Sequence, residues 1–256
     1  MSDRPLILIS NDDGITAPGI RKLINIMNQL GDVVVVAPDG PQSGKGHAIT
    51  IDGILRADSI KIDDGPQEEF SCSGTPADCV KLAVNVVLKR KPDLLVSGIN
   101  HGSNSSINVI YSGTMSAAVE GSLENIPSIG FSLCDFSWEA DFEPAAPFIK
   151  KIAEKVLDEG LPRGVCLNVN IPKKTNEAYK GIKICRQTKG NWEEEFDERV
   201  DPRGRDYYWL TGKFVNYDKH EDNDEWALAN NYISVVPINS DLTSYAMKEK
   251  IEGWNL

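Results

Sequence analysis

The sequence is short of positive charge. Its 27 Lys and Arg face 38 Asp and Glu, leaving a net charge of −11 over 256 residues. A far field of that sign repels phosphates, which argues against a nucleic acid polymer or an anionic membrane as general partner. Cysteine is sparse too. Cys72, Cys79, Cys134, Cys166 and Cys185 are odd in number and form no C-x-x-C pair. That pattern disfavours a disulfide framework or a zinc site and suits a reducing cytoplasm. No apolar run nears the roughly 20 residues of a membrane span. Pro5 to Ile9 is too short for the core of a secretion signal and follows Asp3 and Arg4, so no signal peptide is expected. Without secretion, the acceptor pattern Asn104-Ser105-Ser106 has no use as a glycosylation site. Internal repeats and low-complexity linkers are absent as well, so the expectation is one unit, 1–256.

What is present is ordinary globular material, 41% hydrophobic and 25% charged. Short apolar runs alternate with helical patterns over the first 160 residues. Leu6 to Ser10, Val33 to Ala37, Asp93 to Ser97, Ile126 to Leu133 and Val165 to Ile171 read as buried strands. Pro18 to Leu30, Ser112 to Glu124 and Phe142 to Glu159 read as helices. Another helix starts at Thr75-Pro76-Ala77-Asp78, with threonine as cap and proline in the first turn, and should run to about Lys91. Residues 49–73 suggest irregular chain or short antiparallel strands. Such alternation implies a Rossmann-like α/β core, a doubly wound and mostly parallel sheet over 1–172. Residues 173–256 change character. Strands are expected at 181–188 and 206–217, separated by an acidic, aromatic stretch at 192–199, with a short helix from Leu242. This β-rich extension suits either an oligomer contact, as a lobe or exchanged arm, or a folded edge of the same unit.

Three polar loops directly follow buried strands: Asn11 to Gly14, Asp39 to His47, and Gly98 to Asn104. Ligands of open parallel sheets bind beyond the carboxyl ends of the strands, where strand order reverses. Neighbouring strands would make these loops converge. Asp12 and Asp13 repel each other where an apolar run ends, and a divalent cation between them would remove that cost. Hard oxygen donors suit magnesium, manganese or calcium. The same stretch also fits a plain turn at Asp13-Gly14 with Asp12 capping a helix. The second loop is no phosphate-binding P-loop, because only three residues separate Gly40 from Gly44 and Gly46 follows Lys45. A receiver module would need a phospho-accepting aspartate after Leu94 to Ser97, where Gly98-Ile99-Asn100 stands. Tyr111-Ser112-Gly113-Thr114 precedes a helix and offers an anion site or simply a helix cap. His47 and His101 are candidate acids or bases, and Cys79 reads as core.

Taken in order, Asn11-Asp12-Asp13-Gly14, Val36-Ala37-Pro38, Ser43 with Gly46-His47, Gly74 to Val80, Ser97-Gly98-Ile99-Asn100 and Ser112-Gly113-Thr114 resemble the SurE survival-protein family. The resemblance spans the chain and is strongest before residue 135. It implies a metal-dependent nucleotidase acting on nucleoside monophosphates, with one divalent ion, Mg or Mn, per subunit. The family's ligands would fall on Asp12, Asp13, Ser43 and Asn100, with Asp12, Asp13 and Asn100 serving catalysis. Asn104, Ser112, Gly113 and Thr114 would hold the phosphate. The resemblance also implies a homodimer or homotetramer built partly by exchange of C-terminal segments. One departure is His101, where many members carry arginine, and histidine need not be charged at pH 7. The competing expectation is a non-catalytic sensor of divalent metal and nucleotide.

Overall fold

The computed structural model describes residues 4–254. The first three and last two positions lie outside the described residues, Asp3 of the N-terminal reading and the ends of the expected 1–256 unit among them.

Strand β1 (Leu6–Ser10) is buried along its whole length. Its side chains alternate between two cores. Ile7 and Ile9 face one side, with α1 (Pro18–Met27) and α4 (Ala146–Glu159). Leu6 and Leu8 face the other, with α2 (Pro76–Leu82) and α3 (Gly113–Leu123). Burying each such side chain contributes roughly 1.5–3 kcal/mol relative to leaving it exposed. Helix α1 starts on proline and buries Ile20, Leu23, Ile24 and Met27 on one stripe. Helix α2 carries a full capping box: Thr75 Oγ1 accepts from the Asp78 N–H, and Asp78 accepts from the Thr75 N–H.

Nine strands form the main sheet among the described residues. Their spatial order is β3 (Ala57–Ile60), β4 (Glu68–Cys72), β2 (Asp32–Pro38), β1, β5 (Leu94–His101), β6 (Ser128–Leu133), β7 (Val165–Ile171), β11 (Ile233–Asn239) and β8 (Ile182–Ile184). From β4 to β7 all neighbours are parallel. β3 and β11 pair antiparallel with β4 and β7, and β8 runs parallel to β11. The chain leaves β1 on one side for β2 and later lands on its other side as β5. The reversal therefore lies beside β1, and the loops after β2, β1 and β5 are neighbours. The α/β class and mostly parallel sheet expected from the alternation are present. β8 and β11, from beyond residue 172, join that sheet as well.

Several local expectations need correction. The helix begun at Pro76 does not reach Lys91. It passes into a π-helical turn, Ala83–Val87, and Leu88 is already extended. Val84, Val86 and Val87 are β-branched, stiff at χ1 and poor helix formers, and Pro92 holds its predecessor out of helix. Helix α1 likewise stops at Met27, short of Leu30. Residues 192–199 do not separate two strands; they lie within one, β9 (Gly190–Val200). It pairs in full antiparallel register with β10 (Asp206–Asn216), as a two-stranded ribbon apart from the main sheet. Its glutamates disguise it, since they depress strand propensity. Only three residues of 181–188 form a strand, β8. A short helix missed in the sequence, α5 (Asp224–Ala229), is capped by Asn223, whose side chain accepts from the Trp226 N–H. The tail is α6 (Tyr245–Glu252), and it buries no residue. Among the described residues no helix is long and apolar enough to cross a membrane.

Candidate active site

The loops after β1 and β2 are laced through backbone bonds. The Gln42 N–H donates to the Asp12 carbonyl at 2.7 Å, and the Ile15 N–H to the Pro38 carbonyl at 2.9 Å. Gly14, at φ +98°, passes so close to Gly40 that a Cβ would stand 3.3 Å from its backbone. The loop after β5 joins them, because the His101 N–H donates to Asp13 Oδ2 at 3.3 Å. Pairing of β5 with β6 shifts register between Ser97 and Asn100, an irregularity of the kind that re-aims residues near sites.

Helix α3 arrives end-on at the same point. Ser112 caps it, its Oγ accepting from the Met115 N–H at 3.0 Å. Thr114 Oγ1 donates to Asp12 Oδ1. Gly113 has no side chain because Asp12 fills its space: a Cβ there would lie 2.6 Å from Asp12 Cβ. The positive end of α3 thus abuts the Asp12 carboxylate. Asp12 is not the cap of α1, a position taken by Ala17, and no side chain caps that helix.

Electrostatically the pair is unfavourable as it stands. Asp12 is only 4% exposed. Burial, with Asp13 adding repulsion and the Thr114 bond opposing it, pushes its carboxyl up to about 6. Burial also raises Asp13, against the pull of the His101 N–H. Among the described residues neither carboxylate has a Lys or Arg partner, and no three His, Cys, Asp or Glu cluster as a metal site. What the structure brings together is two carboxylates, with the Thr114 hydroxyl on Asp12 and Asn100 immediately before the His101 that bonds Asp13. Two adjacent hard anions raised by burial and lacking a Lys or Arg partner fit magnesium or manganese.

The remaining sequence candidates divide. Ser43 is exposed, one position past the Gln42 that bonds Asp12. Asn100 is part-buried at the end of β5, its Nδ2 donating to the Gly102 carbonyl at 2.9 Å. Asn104 is turned into a buried amide network. Its Nδ2 donates to Ser132 Oγ at 2.8 Å, and its N–H to Asn170 Oδ1 at 2.8 Å. His47 Nε2 is engaged by Glu120 at 2.9 Å, and Lys81 donates to the other oxygen of the same carboxylate at 2.6 Å. Although burial opposes it, these two partners hold the Glu120 carboxyl below its ordinary value. The clamp ties the loop after β2 to α2 and α3. His101 Nδ1 lies 2.9 Å from the Ser137 carbonyl, and its ring stacks on Trp138. Neither Glu120 nor Trp138 stands out in the sequence, because their partners lie tens of residues away with no fixed spacing.

A family model described as survival protein SurE matches residues 7–194. The chain belongs to the SurE family. All the candidate donors and phosphate contacts fall inside the matched span. The "5′-nucleotidase SurE" of Flavobacterium psychrophilum is 64% identical over 253 residues, covering 99% of this chain and 98% of the relative. That of Flavobacterium johnsoniae is 63% identical over 254 residues, covering 99% and 98%. A crystal structure of the SurE protein from Aquifex aeolicus has a TM-score of 0.83 and 42% identity, covering 97% of this chain and 98% of that one. This SurE architecture accordingly includes the C-terminal strands, beyond the span of the family model.

Proposed function

We propose that this SurE-family chain is a phosphomonoesterase dependent on one divalent cation, Mg or Mn, which hydrolyses nucleoside 5′-monophosphates. The observation that carries the reading is the Asp12–Asp13 pair at the sheet's reversal, without a Lys or Arg partner among the described residues, with buried Asp12 set against the N-terminus of α3. The names of the near-full-length relatives support nucleotide monoesters as the substrate.

Asp12, Asp13, Ser43 and Asn100 supply the oxygen donors for the cation. When bound, the ion polarises the phosphoryl oxygens and stabilises the charge that develops on them. Ser112, Gly113 and Thr114 present first-turn N–H groups, and α3 adds its dipole, so the phosphate docks at the helix end. Asn104, given to Ser132, shapes that loop from beneath. The Glu120 clamp holds the loop that carries Ser43. Water attacks phosphorus in line, and the nucleoside oxygen leaves on the opposite side. Free cysteines suit the cytoplasm we assign to it. A homodimer or homotetramer fits the ribbon and tail, where Phe196, Trp209, Leu242 and Trp254 are all more than half exposed.

The test is phosphate release from a panel of nucleoside 5′- and 3′-monophosphates, with and without EDTA. We expect multiple turnovers on the 5′ esters, loss of activity with chelator and recovery with magnesium or manganese. Full turnover in a stripped sample would remove the metal role. Tight binding without turnover would instead favour the non-catalytic sensor of metal and nucleotide.

A further inference from the structure

The loop that follows β6 carries two large aromatic rings in solvent. Phe136 is 82% and Trp138 63% exposed. Such exposure is costly for a ring that does nothing, because each keeps a large apolar face in water. The rings are not scattered. Trp138 stacks on His101 with centroids 5.4 Å apart and planes 14° from parallel. Phe142 closes the edge of the same imidazole at 5.2 Å and 89°. The Phe136 ring lies over Gly102, where a Cβ would fall 2.3 Å from a ring carbon. Only glycine, here at φ +107°, lets that ring seat.

The platform is tied directly to the reaction centre. The residue under Trp138 is His101, whose N–H holds Asp13. The loop is also pre-organised. The Ser137 N–H donates to Asp135 Oδ1 at 3.1 Å, Asp135 pairs with Lys173 at 3.1 Å, and Asp141 pairs with Lys174 at 2.6 Å. Ser137 also gives its carbonyl to His101 Nδ1. Rigid aromatic rings standing beside a phosphate site present π-faces to whatever the phosphate is attached to.

The geometry points to a nucleobase subsite on Trp138 and Phe136, in which the base of the substrate stacks while its phosphate is held at Asp12 to Thr114. This rests on the phosphomonoesterase reading of the adjacent site. Stacking on such rings is sequence-tolerant, since every base has a π-face. Purines, with the larger face, gain more from it than pyrimidines.

The experiment compares adenosine monophosphate with ribose 5-phosphate, which bears the same ester and no base. In Trp138→Ala the ratio of the two kcat/KM values should fall at least about tenfold, through KM for the nucleotide, at the weaker end of base–aromatic stacking. Trp138→Phe should restore most of the ratio, and Phe136→Ala should lower it less. In parallel, binding of adenosine is measured by calorimetry on the unmodified chain and on Trp138→Ala. This arm needs no turnover, so it separates failure of the subsite from failure of the hydrolase reading. Unmodified protein that binds adenosine in a Trp138-dependent way but releases no phosphate keeps the subsite and discards the reaction. An unchanged ratio with unchanged adenosine binding overturns the proposal. So does a change in oligomeric mass on Trp138→Ala with no change in the ratio, which would give the rings to a subunit contact.

Discussion

The Asp12→Asn variant separates a cation site from a structural turn. In the metal-free chain, burial moves the Asp12 carboxyl from its ordinary 3.8 to about 6. That displacement corresponds to ~3 kcal/mol of penalty on the ionised form. The sign follows from proton binding. Between pH 4 and 6 the folded chain holds a proton that the unfolded chain has released, so metal-free stability rises as the pH falls through this window. Above pH 6 the penalty is complete. Asparagine removes the charge, keeps the shape, and still accepts from Thr114 Oγ1. At pH 7.5 and without metal the variant should therefore be more stable by about 1–3 kcal/mol, allowing for one weakened acceptor. For a chain of this size that is a rise of roughly 2–10 °C in melting temperature. The advantage should shrink towards zero at pH 4, where both side chains are neutral. Loaded with manganese, the order reverses. The variant binds the ion more weakly, and turnover falls at least about 10²-fold. Calorimetric melting at three pH values, manganese titration and phosphate release on the same preparation decide the matter. Near-normal turnover with a lowered melting temperature would refute the reasoning and make Asp12 a structural residue.

Two other outcomes are specific. Gly113→Ala places a Cβ 2.6 Å from Asp12 Cβ; it should displace α3 or the carboxylate, cost about 1–3 kcal/mol of stability, and cut kcat at least about tenfold. Thermal melting and steady-state kinetics check it, and an unaffected kcat would show that α3 and Asp12 do not act together. Substrate breadth is the second: a stacking platform without polar base contacts should keep kcat/KM for the common nucleoside 5′-monophosphates within about two orders of magnitude, and a preference above roughly 10⁴-fold would reveal a polar reading pocket.

Much of the core could be read from the sequence because its signals are local. Leu6 to Ser10 and Val33 to Ala37 are apolar runs closed by polar loops, and Thr75-Pro76-Ala77-Asp78 writes its own capping box. The placement of Asp12 and Asp13 follows from a rule about strand ends, and that of Thr114 from a rule about helix starts. Illegible parts depend on partners distant in the chain. β9 is a strand because β10 pairs with it residue for residue, and Lys213 sits 3.3 Å from Glu193; taken alone, Glu193 to Glu195 argue against one. His47 reads as a candidate acid or base, and no sequence spacing announces the Glu120 that α3 brings to it. The resemblance gives Asn104 to the phosphate, and nothing in its spacing announces that its side-chain amide also donates to Ser132 and its backbone N–H to Asn170 on neighbouring strands. Trp138 carried no signal, since nothing in a loop tryptophan announces a histidine 37 positions earlier.

The order of strands has an evolutionary consequence. Asp12 and Asp13 follow β1, whereas Phe136 and Trp138 follow β6, and β5 stands between them. The carboxylates are locked by backbone bonds and by a helix end that tolerates no added atom. Residues 134–142 are anchored at their two ends, by the Cys134 N–H on the Ile171 carbonyl and by Phe142 in the core, while the rings at 136 and 138 between them stand in solvent. Drift in that loop can exchange one grip on the leaving group for another while the phosphate machinery stays as it is. Divergence among chains with this architecture should therefore concentrate at the end of β6, leaving the ends of β1 and α3 nearly immobile. New leaving groups can be recruited by rewriting a single loop.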